Sequence, residues 1–166
     1  MNQGNNPLYG GQKMAIGTWN AATTTLASGA SASCTAGSIW LPDGALITDA
    51  FYFVQTTFTD DDAGDSQPVA LGYTGSTGAF VASIAISDGT NPWDAGAHGT
   101  LLAPSTTLSE ATPNTRTQLV AAVDRAQEML HLTAPKELLL TLASERTIVV
   151  GKLSLYVSYV QTNDFA

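Results

Sequence analysis

Two histidines, His98 and His131, and one cysteine, Cys34, are the side chains of this 166-residue chain best suited to acid–base, metal or nucleophilic chemistry at neutral pH. Their spacing does not gather them. His98 sits in Ala-Gly-Ala-His-Gly, a loop-like run, and His131 sits on the strand face of Met129 and Thr133. Neither belongs to an H-x-x-x-H or H-E-x-x-H arrangement, so both read as structural residues. Cys34 lies between Ser33 and Thr35 with no basic neighbour to lower its pKa, and reads as a small, part-buried residue. A single cysteine also forms no intrachain disulfide. The acidic run Asp60-Asp61-Asp62-Ala63-Gly64-Asp65 offers the oxygens that a hard cation needs. It lacks the alternating ligands, central glycine and closing glutamate of an EF-hand loop, and reads as a solvated turn. There is no glycine-rich phosphate cradle and no G-x-S-x-G nucleophile elbow. The expectation is no enzyme, no cofactor and no metal. Two carboxylates brought together from distant positions lie beyond the reach of spacing arguments.

The aromatic residues say more. Trp19, Trp40 and Trp93 fall near segment ends or in loops, and Phe51-Tyr52-Phe53 runs apolar without a break. Tryptophan and tyrosine are enriched at interfaces, where a large apolar body meets a polar tip. Trp19, Trp40, Phe51, Tyr52, Phe53, Trp93 and Tyr156 are therefore the candidate interface residues. Two readings of the tryptophans stay open: closure of the core at the ends of a sandwich, or contact with a neighbouring subunit or a glycan.

The elements that would position these side chains follow from composition and period. Apolar residues make up 44% of the chain, enough for a core, whereas charged residues at 12% are about half the usual share. Net charge is −8, and the six basic residues are scattered, so the clustered positive footprint of nucleic-acid binding is missing. An anionic membrane would repel such a chain. No apolar run approaches the ~20 residues of a membrane span, and the N-terminus has neither the basic nor the apolar region of a signal peptide. Synthesis in a cytoplasm is expected.

Residues 1–13, rich in Gly and Asn, are expected to form a flexible N-terminal arm, with residues 14–166 folding as a single β-sandwich domain. Met14–Trp19 is a plausible first strand, and Ser28–Ser38 a loop or weak edge strand. Pro42-Asp43-Gly44 is a turn signal before the clearest strand, Ala45–Thr59. The apolar run in it leaves one aromatic face beyond the core, to be covered by a loop or a second subunit. Val69, Leu71 and Tyr73 share a face, and Phe80, Ala82, Ile84 and Ile86 alternate in a hairpin partner. Residues 88–114 read as irregular. Thr115 and Gln118 match a capping box, which predicts one short helix over 116–127. Period two then returns, with Leu138, Leu140 and Leu142 on one face, and Leu153, Leu155, Val157 and Tyr159 on another. About eight short strands and no βαβ alternation predict a mainly β, antiparallel, jelly-roll-like sandwich.

Two stretches resemble a family. Leu41-Pro42-x-Gly44-Ala45-x-Ile47-Thr48 opens the aromatic strand; Leu138-x-Leu140-Thr141-x-Ala143 precedes Gly151-Lys152-Leu153-x-Leu155-Tyr156-Val157-x-Tyr159-Val160. Together, over residues 41–59 and 116–160, they resemble small jelly-roll virion proteins of tailed bacteriophages that decorate or cement capsids, often as trimers. Ile148-Val149-Val150 departs from the smaller residues expected there. The resemblance implies a homotrimer on the outer surface of a major capsid protein shell, within the virion, and no catalytic residues. The acidic charge suits an exterior position. The alternative is a tail, fibre or carbohydrate-binding module used in host attachment, which predicts Trp19 or Trp93 exposed in a cleft beside the acidic turn.

Overall fold

Alternating apolar residues and turn punctuation become nine β-strands in the computed structural model, which describes residues 11–23, 26, 33–100, 130–143 and 146–161, with residues 33–38 described by their backbone. In chain order they are β1 (Lys13–Asn20), β2 (Ser33–Leu41), β3 (Ala45–Asp60), β4 (Pro68–Tyr73), β5 (Ser76–Ala85), β6 (Gly96–Gly99), β7 (Leu130–His131), β8 (Lys136–Leu142) and β9 (Ile148–Gln161). The described residues contain no helix. The helix expected over 116–127 lies outside them, as do residues 1–10.

One sheet runs β1-β9-β3-β6, with β7 also pairing β3; the other runs β2-β8-β4-β5. Every pairing is antiparallel. With the two-residue β7 set aside, the remaining strands pair first with last (β1·β9), second with seventh (β2·β8), third with sixth (β3·β6) and fourth with fifth (β4·β5). This nesting is that of one long hairpin wound over itself, its strands feeding the two sheets, which is the jelly roll. The expected class is the class observed.

The core lies between the sheets. β3 delivers Ile47, Ala50, Tyr52, Val54 and Phe58 to it, β9 delivers Leu153, Leu155 and Val157, and β8 delivers Leu138, Leu140 and Leu142. Val69 and Leu71 face them from β4, as their alternation predicted. Gly44 takes φ 72° at the β2–β3 turn, a region that favours glycine, and its N–H donates to the Leu132 carbonyl at 2.9 Å.

Several local expectations change. Lys13, placed in the arm by composition, opens β1 opposite Tyr159, because strand pairing supplies what its local sequence does not. Of the two readings of Ser28–Ser38, the edge strand holds for Ser33–Ser38, which belong to β2. Gly96–Gly99, read as irregular, forms β6, since the exposed edge of β3 offers four partners from Phe51 to Val54 and overrides a weak β propensity. The even alternation expected from Phe80 to Ile86 breaks at register shifts between β4 and β5, so Ala82 is exposed while Val81 is buried.

Candidate interaction face

The outer face of the β1-β9-β3-β6 sheet is set by parity. Along β3, Tyr52 and Val54 are fully buried, and Phe51 and Phe53, which alternate with them, are 37% and 41% exposed. Along β1, Ala15, Gly17 and Trp19 turn inward, and Met14 and Ile16 stand 53% and 44% exposed. Along β9, Leu153, Leu155 and Val157 turn inward, so Lys152, Ser154, Tyr156 and Ser158 belong to the outer side, where Lys152 and Tyr156 are half-buried and Ser154 and Ser158 are buried among their neighbours.

The ladder registers align these residues in rows. Ile16 pairs with Tyr156, Tyr156 with Phe51, and Phe51 with Gly99, so one row crosses all four strands and is apolar through three of them. Within it the Phe51 and Tyr156 rings stack, with centroids 4.7 Å apart and planes 7° from parallel. The next row reads Thr18, Ser154, Phe53 and Ala97. Here the Thr18 and Ser154 hydroxyls bond at 2.9 Å, and Gln55 Nε2 donates to Ser154 Oγ at 3.1 Å. Charge is sparse. Asp49 lies at one end, opposite Ser158, its Oδ1 accepting the Ala50 N–H at 2.8 Å; Lys152 lies at the other end, opposite Thr56. The face is thus largely uncharged and crossed by an aromatic band, a surface suited to binding another surface more than to holding a reacting group.

No family model matches the sequence, and no curated protein matches it. Solved structures do. The fold is similar to a chain of the cyanophage Pam1 capsid asymmetric unit at a TM-score of 0.53 and 14% identity, covering 90% of this chain and 84% of that one. It is similar to a chain of the capsid of Ralstonia phage GP4 at a TM-score of 0.52 and 13% identity, covering 92% and 85%. At such identity the likeness is one of fold.

The candidate residues divide between core and surface. Trp19, Tyr52 and Trp93 are 1%, 0% and 0% exposed, so for them the chain itself provides the cover and the core-closing reading applies. Trp93 donates its indole N–H to the Ile84 carbonyl at 3.1 Å and packs on Tyr52 and Phe58. Tyr52 donates its hydroxyl to the Pro92 carbonyl at 2.8 Å, and burial pushes that hydroxyl well above the usual phenol range. Phe51, Phe53 and half-buried Tyr156 meet on the outer face. Trp40 is 51% exposed but stands on β2, in the other sheet.

Met14, Ile16 and the exposed pair Val149-Val150 are absent from the sequence-based set. Met14 and Ile16 carried a signal in their alternation with Ala15 and Gly17. The valines did not, because their exposure comes from a bulge. Next to them Gly151 lies at φ 148° directly over the Phe58 ring, where an added Cβ would come within 2.7 Å of a ring carbon. That displaced register turns two successive residues outward.

The polar candidates serve the scaffold. In the acidic turn, Asp60 accepts the Asp62 and Gln67 N–H groups at 2.8 and 2.7 Å, and its own N–H donates to Asp65 Oδ1 at 2.9 Å. Arg146 bridges to Asp62 at 3.2 Å. These carboxylates fold the turn, as Asx-type bonds do. Among the described residues no three His, Cys, Asp or Glu side chains converge as metal ligands. His98 is buried, stacks on Tyr52 at 5.0 Å and bonds through Nε2 to the Asp94 carbonyl at 2.8 Å. His131 is exposed on β7, opposite Leu46.

Proposed function

We propose that this chain is a structural virion protein of a tailed bacteriophage, a capsid decoration or cement protein that joins sister copies, as trimers, on the outer surface of the major capsid shell and stabilises it. The observation that carries the reading is the apolar row Ile16–Tyr156–Phe51 on the open face of a jelly-roll sheet, in a chain otherwise acidic and polar. A monomeric soluble protein rarely presents such a band without a partner. The similarity in fold to chains of two phage capsids supports it, as does the resemblance of the strand patterns to decoration proteins. A cement protein needs broad, weak contacts repeated many times, which act together through multivalency and need no reactive centre.

Two measurements test this. Light scattering on the purified chain is expected to give the mass of three chains of 17.2 kDa. Cosedimentation with capsid shells of the parent phage is expected to raise the temperature at which the shells open. A strict monomer that ignores the shells sinks the proposal. The host-attachment alternative, in its glycan-binding form, needed Trp19 or Trp93 at the surface. Both are core residues, so nothing in the structure favours it.

A further inference from the structure

From the register of the β1-β9-β3-β6 sheet we infer that its outer face packs against the same face of a second copy, across a two-fold axis running perpendicular to the strands. Face-to-face contact between identical surfaces is isologous, so whatever stands at one end of the face meets whatever stands at the other. Along β9, Asp49 is opposite Ser158 and Lys152 is opposite Thr56. Those two ladder positions are six residues apart, about 20 Å at strand rise. The midpoint between them falls between the Tyr156 and Ser154 rows.

Rotation about an axis at that midpoint lays the Tyr156 row of one copy over the Ser154 row of the other. Tyr156 then comes over the Ser154 position, whose small side chain is buried and bonded to Thr18 and Gln55, and Phe51 comes over Phe53. In the same operation Asp49 of each copy comes over Thr56, one strand from Lys152, within reach of that long side chain. One symmetric placement thus sets aromatic over aromatic and brings acid within reach of base. A copy-to-copy contact also asks for a surface poor in carboxylates, because each chain carries −8. On this face the described strands place Asp49 and no other acid among the exposed rows.

The size of the contact sets its strength. Four strands about 4.8 Å apart over a 20 Å length bury on the order of 1,000 Å² across both copies, below the ~1,200–2,000 Å² of stable complexes. The contact is therefore weak and concentration-dependent in solution, and effective where copies are held in an array. It needs a second copy, as the assembly reading does, but not the shell. If copies also meet about a threefold axis, this contact joins one trimer to the next.

Sedimentation velocity over a wide concentration range tests the contact. The expected result is a reversible doubling of mass. Asp49→Lys and Lys152→Asp each weaken the association by about tenfold, and the double variant Asp49→Lys/Lys152→Asp restores it. Circular dichroism on each variant confirms that the fold is intact, and Trp40→Ser, on the other sheet, leaves the association unchanged. A wild-type chain that never doubles, or single swaps without effect, or a double swap without rescue overturns the two-fold contact. Shells that still bind the chain in any of those cases leave the decoration role standing and assign the face to the shell protein instead.

Discussion

Phe51 and Tyr52 are neighbours in sequence and similar in size, yet they act on different scales. Tyr52 is wholly buried, touches Trp93 and His98, and anchors the loop before β6 through the Pro92 carbonyl. Phe51 projects to the other side of the same strand and stacks on Tyr156 in the open. The pleat alone separates them, since successive side chains of a strand point to opposite faces. The inner ring belongs to folding, and the outer ring is the one that the proposed association would cover. A single strand can present two such rings because only one face of β3 is taken by the core.

The sharpest break in that comparison is on the inner side. Tyr52→Ala and Trp93→Ala are each expected to cost about 3–5 kcal/mol, because each opens a large void in a packed core. Urea unfolding monitored by circular dichroism would show it, and a loss near zero would mean that the inner face is not the core. Gly151→Ala comes next, at about 2 kcal/mol, since the new methyl must displace the Phe58 ring from beneath a backbone at φ 148°. Unchanged melting in that variant would show that the bulge is free to relax.

Tyr52→Phe isolates one hydrogen bond and is expected to cost about 1–2 kcal/mol, as it leaves the Pro92 carbonyl unpaired. It carries a pH signature as well. Burial raises the folded-state pKa of Tyr52 above the unfolded value of about 10. The unfolded chain therefore releases that proton first, and the stabilisation is complete below pH ~10 and declines as pH rises beyond it. In Tyr52→Phe, that part of the alkaline loss disappears; a parallel loss in both proteins would contradict the assignment. The smallest effect on stability is on the outer side. Phe51→Ser is expected to cost only about 0.5–1 kcal/mol, the worth of an exposed cross-strand pair, while weakening self-association. A large loss of stability there would place Phe51 in the fold and not in the interface.

Residue pattern made the face legible in part. Phe51 and Phe53 were visible because a fully apolar run cannot satisfy both sides of a strand with one core, and Tyr156 because it is an interface-type aromatic on the polar face of an alternating strand. Trp19 and Trp93 were not separable from them, since the sequence of a tryptophan near a strand end is the same whether the ring folds in or out. What decided was the β6 loop, which returns Trp93 to the Ile84 carbonyl and closes one end of the sandwich. Met14 and Ile16 alternated legibly, but only the β1·β9 register put Ile16 beside Tyr156.

The sequence by itself determined the class of fold and the inward set of its strands, because period two and turn chemistry act locally: Leu138, Leu140 and Leu142, or Leu153, Leu155 and Val157, face the core wherever the strands pair. Only the tertiary structure decided which strands became neighbours, and hence that Ile16, Tyr156 and Phe51, far apart in the chain, form one row, with Asp49 and Lys152 on rows to either side of it. The reason is physical. Alternation is written in adjacent residues, whereas register depends on closing loops between distant strands, and that closure is settled by the packing of the whole core.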